Sequence, residues 1–202
     1  MSEEPLRWRP SWHLVLASAS PQRRAILDQL GVSFVARPTD VVELGDGEPT
    51  VAAAENARRK ALAGMAALEP SEREVSVVLA CDTVVTLDGR LYGKPADEAQ
   101  ARRYLAELQG RSHDVLGAIA VVTADGRLLQ RIERTSVTFA PLEAAQIAAH
   151  VALGEWRGRA GGYAIQGRGA ALVERIDGDY LNVVGLPVSA LRGLVQGLVP
   201  PF

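Results

Sequence analysis

The chain of 202 residues contains one cysteine, Cys81, and two lysines, Lys60 and Lys94, among its 22 lysines and arginines. A single cysteine excludes an intramolecular disulfide and a cysteine-based zinc centre, and its place in an apolar run predicts a buried, unreactive thiol. No apolar run reaches the roughly 18 residues that a membrane-spanning helix needs. The first ten residues also lack the basic-then-apolar order of a secretory signal. We therefore expect a protein without membrane contact that stays in the cytoplasm.

An excess of positive charge is missing as well, because 22 basic residues face 24 acidic ones and leave a formal net charge of −2. This excludes the basic surface that attracts nucleic acid nonspecifically. An anionic ligand must then be bound by a local group of donors, and we expect a small molecule. Since positive charge is carried almost entirely by arginine, Lys60 and Lys94 are candidates for a function that a planar guanidinium performs badly, with chance as an equal alternative.

Strand and helix patterns alternate along the chain, which predicts an α/β fold, and intervening hairpins predict a mixed sheet. The predicted strands are residues 14–17, 34–37, 75–87, 114–123, 128–139, 170–176 and 180–184. The predicted helices are residues 21–30, 51–68 with Thr50 as N-cap, 97–108, 142–153 and 188–198. No linker or repeat interrupts this order, so we expect a single domain over residues 1–202.

The first candidate site is the segment SASPQRR, residues 18–24, at a predicted strand-to-helix junction. Backbone N–H groups at a helix N-terminus, the hydroxyls of Ser18 and Ser20 and a guanidinium one turn later form an anion site suited to phosphate. Arg23 and Arg24 cannot point the same way, so we expect one of them to face the ligand. The commoner origin of such a string is a serine N-cap followed by solvated arginines.

Asp82 interrupts the apolar run VSVVLACDTVV, residues 75–85. A carboxylate inside a buried strand is costly unless it pairs with a cation, binds a metal or acts as a base. Asp82 is therefore a site candidate, with a structural role beside backbone donors or an arginine as an equal alternative. Glu43, after the second strand, is a further candidate carboxylate, although an exposed loop glutamate is usually only solvated.

Lys94 in the segment YGKP and Lys60 in the alanine-rich helix are candidate point charges for phosphate oxygens, and each is a weak signal by itself. The glycine-rich segment 155–170 is suited to close approach of its backbone to a ligand, with a flexible loop as the alternative. Gln166 is the residue of this segment that can both donate and accept hydrogen bonds at a base edge. The three histidines lack metal-type spacing, so we expect them to be solvated or to cap segments.

Six segments in this order resemble the Maf family of nucleoside triphosphate pyrophosphatases: LASASPQRRAILDQLG, ENARRKA, ACDTVV, YGKPADEAQARRYLAELQGRSHDV, GRAGGYAIQGRGA and IDGDYLNVVGLPV. The resemblance implies a fold like that of the inosine triphosphate pyrophosphatases, an elongated mixed sheet flanked by helices with a cleft between two lobes. It also implies hydrolysis of a nucleoside triphosphate between the α and β phosphates, with Mg²⁺ or Mn²⁺ as the divalent cation. A homodimer is a further implication.

Residue roles follow from the same resemblance. Asp82 matches the proton acceptor of the family, which activates water or holds the metal through which water is activated, and Glu43 matches the second acidic residue and metal ligand. Lys60 and Lys94 match its phosphate-binding lysines. The phosphate-binding turn of the family is matched by Ser18, Ser20 and Arg23.

Substrate choice is implied by three further positions. Thr83 and Gln166 match the branch of the family that acts on dTTP and UTP, whereas the 7-methylguanosine triphosphate branch resembles DQV in place of DTV and has an acidic residue in place of Gln166. The pyrimidine branch usually has SPRR, and its first arginine is replaced here by Gln22. This replacement removes a charge at a position linked to substrate choice.

Three hypotheses from two classes, enzyme and regulator, remain. The leading one is a housecleaning enzyme that hydrolyses dTTP and UTP, with a range that extends to modified nucleotides. The alternatives are a nucleotide-sensing regulator of septum formation without significant turnover, or a Maf enzyme with a different nucleotide preference. A buried Asp82 beside two phosphate-directed lysines favours the enzyme, because this combination serves catalysis as well as binding.

Overall fold

Alternating strands and helices build the molecule, and the structure, a computed structural model, describes residues 4–200. The strands are β1 (Leu6–Arg7), β2 (His13–Leu16), β3 (Val35–Ala36), β4 (Ser76–Leu87), β5 (Arg90–Tyr92), β6 (Ser112–Thr123), β7 (Leu128–Phe139), β8 (Val173–Asp177) and β9 (Val195–Gln196). The helices are α1 (Pro21–Gln29), α2 (Pro49–Ala66), α3 (Pro70–Arg73), α4 (Glu98–Leu108), α5 (Ala144–Ala152), α6 (Tyr180–Val184) and α7 (Val188–Leu194). No helix within these residues is long and apolar enough to cross a membrane.

The main sheet is mixed, as predicted, and has the strand order β3-β2-β4-β6-β7-β8, with β5 paired to β4. Strand β2 runs parallel to β3 and β4, because α1 and α2 supply the long connections that parallel strands need. Strands β4, β6, β7 and β8 are antiparallel neighbours. The hairpin between β6 and β7 turns at Asp125 and Gly126, between the two strands predicted for residues 114–123 and 128–139.

Strand β4 lies in the centre of the sheet and has helices on both faces. Its side chains Val78, Ala80 and Val84 pack against α2, where Ala53, Ala57 and Ala61 are fully buried. The opposite face carries Val77, Leu79 and Cys81, which pack with residues of α1 and α7. Side chains alternate between faces along a strand, so neighbouring residues of β4 reach different layers of the molecule.

The thiol of Cys81 is fully buried, as predicted, and burial raises its pKa to about 11. The expectation for the histidines is wrong for His113, which is buried and shares a hydrogen bond of 2.9 Å between Nε2 and the Tyr163 hydroxyl. Burial lowers the pKa of His113 to about 4, so this imidazole is neutral at pH 7. His150 is buried too.

The predicted strand over residues 180–184 is a helix, α6. Its β-branched and aromatic residues favour a strand locally, but Asp179 caps the helix and accepts hydrogen bonds from the backbone N–H groups of Leu181 and Asn182. The buried Asn182 amide then donates to the Val115 carbonyl and the Thr135 hydroxyl, each at 3.0 Å. Tertiary hydrogen bonds therefore outweigh local propensity.

Several predicted boundaries also move, and the closing helix predicted to reach residue 198 ends at Leu194, before strand β9. Helix α2 is capped by Glu48, two residues before the predicted Thr50, and Pro49 occupies its first turn. The last strand of the main sheet begins at Val173, three residues later than predicted, because residues Arg168–Leu172 form a 3₁₀ turn.

The contact between α6 and β6 generates a stability prediction. A Cβ atom added to Gly117 would lie 1.8 Å from Asn182 Oδ1, so Gly117→Ala should lower the free energy of unfolding by about 1–3 kcal/mol through overpacking. Chemical denaturation measures this change. Gly45→Ala, whose added Cβ meets no atom within 4 Å, is the control. Equal stability of the two variants would contradict the packing described here.

Candidate active site

Asp82 lies at a gap in the edge of the sheet. One edge of β4 pairs with β6 from Val77 to Thr86, and the other pairs with β2 only as far as Leu79 and with β5 only from Val85. Within the described residues, positions 80–84 therefore have no strand on that second edge. The chain leaves β2 at this point and forms the turn before α1, so the gap opens into a cleft beside Asp82.

Both carboxylate oxygens of Asp82 accept a hydrogen bond from one face of α2. Lys60 Nζ lies 2.6 Å from Oδ1, and Asn56 Nδ2 lies 3.1 Å from Oδ2. Residues 56 and 60 are one turn apart, so their side chains project from the same side of the helix. Asp82 is 5% exposed and Lys60 is 8% exposed, which makes this a buried ion pair whose carboxylate has a donor on each oxygen.

Glu43 connects the two lysines. Its carboxylate accepts hydrogen bonds from Lys60 Nζ at 2.7 Å and from Lys94 Nζ at 2.8 and 3.0 Å. Partial burial favours a higher pKa for Glu43, but the hydrogen bonds and charges of the two ammonium groups outweigh it and lower the pKa to about 2. The two lysines of the chain thus meet at one carboxylate, in agreement with the argument from composition.

The turn before α1 is held by Arg23. Its guanidinium donates to the Ser18 hydroxyl at 2.9 Å, to the Thr83 hydroxyl at 3.2 Å and to the Gly185 carbonyl at 2.8 Å. Ser20 is the N-cap of α1, and the helix N-terminus faces the cleft. Arg23 therefore joins this turn to β4 and to the end of α6, and hydroxyls and backbone N–H groups lie around a position suited to an anion.

Gln22 has a contact that an arginine could not make. Its Oε1 atom accepts a hydrogen bond of 3.1 Å from the Ser20 hydroxyl, whereas a guanidinium has only donors. The substitution at this position thus exchanges a cation for an acceptor that orients Ser20.

The glycine-rich segment lies across the cleft from this turn and packs closely on the sheet. Gly161 has φ of 70°, and a Cβ atom there would come within 3.0 Å of Val85, so a larger residue is excluded. This close packing places Gln166, Arg157 and Arg159 on the cleft wall. This close contact is made with the sheet, and approach of the backbone to a ligand stays a prediction.

All of the predicted site residues line one cavity of about 520 Å³. They are Ser18, Ser20, Gln22, Arg23, Glu43, Lys60, Asp82, Thr83, Lys94 and Gln166. Two residues were not assigned a function from the sequence. Asn56 donates a hydrogen bond to Asp82 from α2, and Arg159 lines the cavity. Burial lowers the pKa of the Arg159 guanidinium, and the charge of Glu155 opposes this shift only in part. The glycine-rich character of the segment was the only signal for Arg159.

Comparison with known proteins identifies the family of the chain. The family model described as Maf-like protein matches residues 13–198. The chain belongs to the Maf family. Among its relatives, the dTTP/UTP pyrophosphatase of Rhodospirillum rubrum is 46% identical over 94% of this chain and 89% of that protein. The dTTP/UTP pyrophosphatase of Burkholderia thailandensis is 45% identical over 93% and 94% of the two chains.

Two more distant similarities were also found. The dTTP/UTP pyrophosphatase of Pyrococcus furiosus is 38% identical over 91% of this chain and 94% of its own. Among solved structures, the Staphylococcus aureus Ham1 protein is 19% identical with a TM-score of 0.46, over 63% of this chain and 72% of that chain. The assignment to the Maf family does not depend on this last similarity.

The shared carboxylate generates a prediction for pH dependence. Lys94→Gln removes one of the two cations on Glu43, so the pKa of Glu43 should rise from about 2 towards its ordinary value of 4.5. A lowered pKa in the folded state stabilises folding above pH 4.5 and loses that effect as the pH falls towards 2. Lys94→Gln should therefore reduce this acid-sensitive part of the stability.

Carbon-detected NMR titration of the Glu43 carboxyl measures the shift. Arg90→Gln removes a cation that pairs with Glu107 at 2.6 Å instead, and it should leave the Glu43 titration unchanged. An unaltered pKa of Glu43 in Lys94→Gln would show that Lys60 alone holds the carboxylate.

Proposed function

We propose that this Maf-family chain is a nucleoside triphosphate pyrophosphatase that hydrolyses dTTP and UTP to the monophosphate and pyrophosphate. The observation that carries the proposal is the continuous arrangement Lys94–Glu43–Lys60–Asp82 on the wall of one cavity. Two cations for phosphate oxygens stand beside a buried carboxylate that can take a proton. The names of the relatives support the same reaction class.

The triphosphate is bound by exchange of ion-pair partners. Lys94 pairs with Glu43, and Lys60 pairs with both Glu43 and Asp82. A phosphate oxygen that takes the place of Glu43 leaves Lys60 still paired with Asp82. On the opposite wall, the Ser18 hydroxyl and the N-terminus of α1 receive further phosphate oxygens, the Ser20 hydroxyl does so once it releases Gln22 Oε1, and Arg159 offers another cation.

Asp82 takes the proton of the attacking water. The ammonium of Lys60 at 2.6 Å and the amide of Asn56 at 3.1 Å orient the carboxylate towards the cavity. Water placed between Asp82 and the α-phosphorus would lose its proton to the carboxylate as the new P–O bond forms and the bond to the bridging oxygen breaks. Lys60 and Lys94 would then offset the charge that develops on the departing pyrophosphate.

A divalent cation fits this site when substrate phosphates are present. Asp82 and Glu43 bind the same ammonium at 2.6 and 2.7 Å, so their oxygens already face one cation. Residues 4–200 contain no group of three or more acidic, histidine or cysteine side chains for a metal. Mg²⁺ and Mn²⁺ commonly use one or two carboxylates and complete their shell with phosphate oxygens and water. When bound, such a cation offsets phosphate charge and polarises the scissile group.

Specificity for pyrimidines is assigned to Thr83 and Gln166. Gln166 is exposed on the cavity wall and can both donate and accept hydrogen bonds at a base edge. Thr83 receives a hydrogen bond from Arg23, so it affects the position of the phosphate-binding turn as well as the cavity surface. Gln22 carries no charge, and its Oε1 atom accepts the one proton of the Ser20 hydroxyl, so a phosphate oxygen must displace Gln22 to receive a hydrogen bond from Ser20.

The nucleotide-sensing regulator remains the alternative that a turnover assay excludes directly. With Mg²⁺, purified protein should release pyrophosphate from dTTP and UTP faster than from CTP, GTP, 7-methyl-GTP and methylated pyrimidine triphosphates. A pyrophosphate-specific coupled assay measures each rate. Preference for another nucleotide would indicate that Gln22 changes the substrate range, which Gln22→Arg would test. Binding without turnover of any nucleotide would support the regulator.

The assignment of Asp82 generates a mutational prediction. Asp82→Asn preserves the shape of the side chain but cannot take a proton, so kcat should fall by about 10²- to 10⁴-fold. Pyrophosphate release measures the loss, and circular dichroism shows whether the fold is kept. Asp28→Asn changes an exposed aspartate of α1 and should have wild-type activity. Turnover of Asp82→Asn within tenfold of wild type would reject Asp82 as the proton acceptor.

A further inference from the structure

The side chain of Asn56 is almost fully buried and makes three hydrogen bonds. Its exposed fraction is 1%. The amide oxygen accepts from the Leu44 backbone N–H at 2.7 Å, and the amide nitrogen donates to the Leu44 carbonyl at 3.2 Å and to Asp82 Oδ2 at 3.1 Å. Both N–H groups and the oxygen are therefore used, and a flipped amide would place its oxygen against two other acceptors.

These bonds connect two different parts of the site. Leu44 directly follows Glu43 in the exposed connection between β3 and α2, whereas Asp82 lies in the central strand. The backbone N–H and C=O groups of Leu44 both form hydrogen bonds with the Asn56 side chain. Asn56 therefore satisfies this part of the connection in the way that the backbone of a paired strand would. The lining of the cavity, among residues 4–200, does not include Asn56.

We propose that Asn56 is a positioning residue that fixes Glu43 and Asp82 relative to each other without touching the substrate. The proposal rests on the assignment of Asp82 and Glu43 to the reaction. Asn56 aligns the two carboxylates through the rigid helix α2, from which Lys60 also projects. Small displacements of reacting groups reduce rates by as much as about 10²-fold, so the effect of Asn56 should appear in kcat.

Two variants separate the contacts of Asn56. Asn56→Leu removes all three hydrogen bonds and has a similar volume, which favours retention of the fold. Asn56→Asp keeps an acceptor for the Leu44 N–H but replaces the donor to Asp82 with a carboxylate. We expect kcat for pyrophosphate release to fall about 10- to 100-fold in both variants, with KM changed less than about threefold.

Amide hydrogen exchange at Leu44, followed by NMR, reports on the connection independently of activity. The exchange should become about tenfold faster in Asn56→Leu, the size expected for loss of one hydrogen bond, and stay near the wild-type rate in Asn56→Asp. Gln130→Leu is the matched control, because Gln130 donates an amide hydrogen bond of 3.0 Å to Ala54 of the same helix, away from Asp82. It should keep the wild-type kcat and Leu44 exchange rate.

Wild-type kcat in both Asn56 variants, a rise in KM at constant kcat, or unchanged Leu44 exchange in Asn56→Leu would each overturn the proposal. Wild-type protein is assayed alongside the variants. If it releases no pyrophosphate from any nucleotide, the proposed function fails, and the Leu44 exchange rates still decide whether Asn56 holds the connection.

Discussion

A carboxylate buried in a β-strand needs donors on both of its oxygens, and at Asp82 both donors come from one face of α2. Removing one partner of a buried ion pair typically costs about 3–5 kcal/mol, because the other charge is left without compensation. The position of α2 on the sheet is therefore tied to the contacts that Lys60 and Asn56 make with Asp82. Glu43 also contacts Lys60 and connects Lys94 to this pair.

The fold supplies that position through small side chains. Ala53, Ala57 and Ala61 let α2 lie close to β4, and a Cβ atom at Gly64 would already be 3.0 Å from atoms of Ala17 and Val78. The gap between β2 and β5 then leaves Asp82 open to the cleft, on the edge where residues 4–200 supply no paired strand. Close helix packing and an interrupted sheet edge together produce a buried but reachable carboxylate.

Much of this arrangement could be predicted from the sequence, because Asp82 in an apolar strand and the two retained lysines are local signals. The mixed sheet and most helices follow from hydrophobic periodicity as well. The helix at residues 180–184 could not be predicted, since its stability depends on Asn182 bonding to β6 and β7. The contacts of Asn56 were inaccessible for a similar reason, because they join segments that meet only in the folded chain.

The scarcity of lysine has a consequence for chemical labelling. Amine-selective acylating reagents react with lysine side chains and the α-amino group, and in this chain both lysine side chains lie in the cleft. Lys94, with a side chain 53% exposed, should react well before Lys60, at 10%. A reagent that modifies most proteins over their whole surface thus becomes nearly site-directed here, and the reactivity of Lys94 reports whether the cleft is occupied.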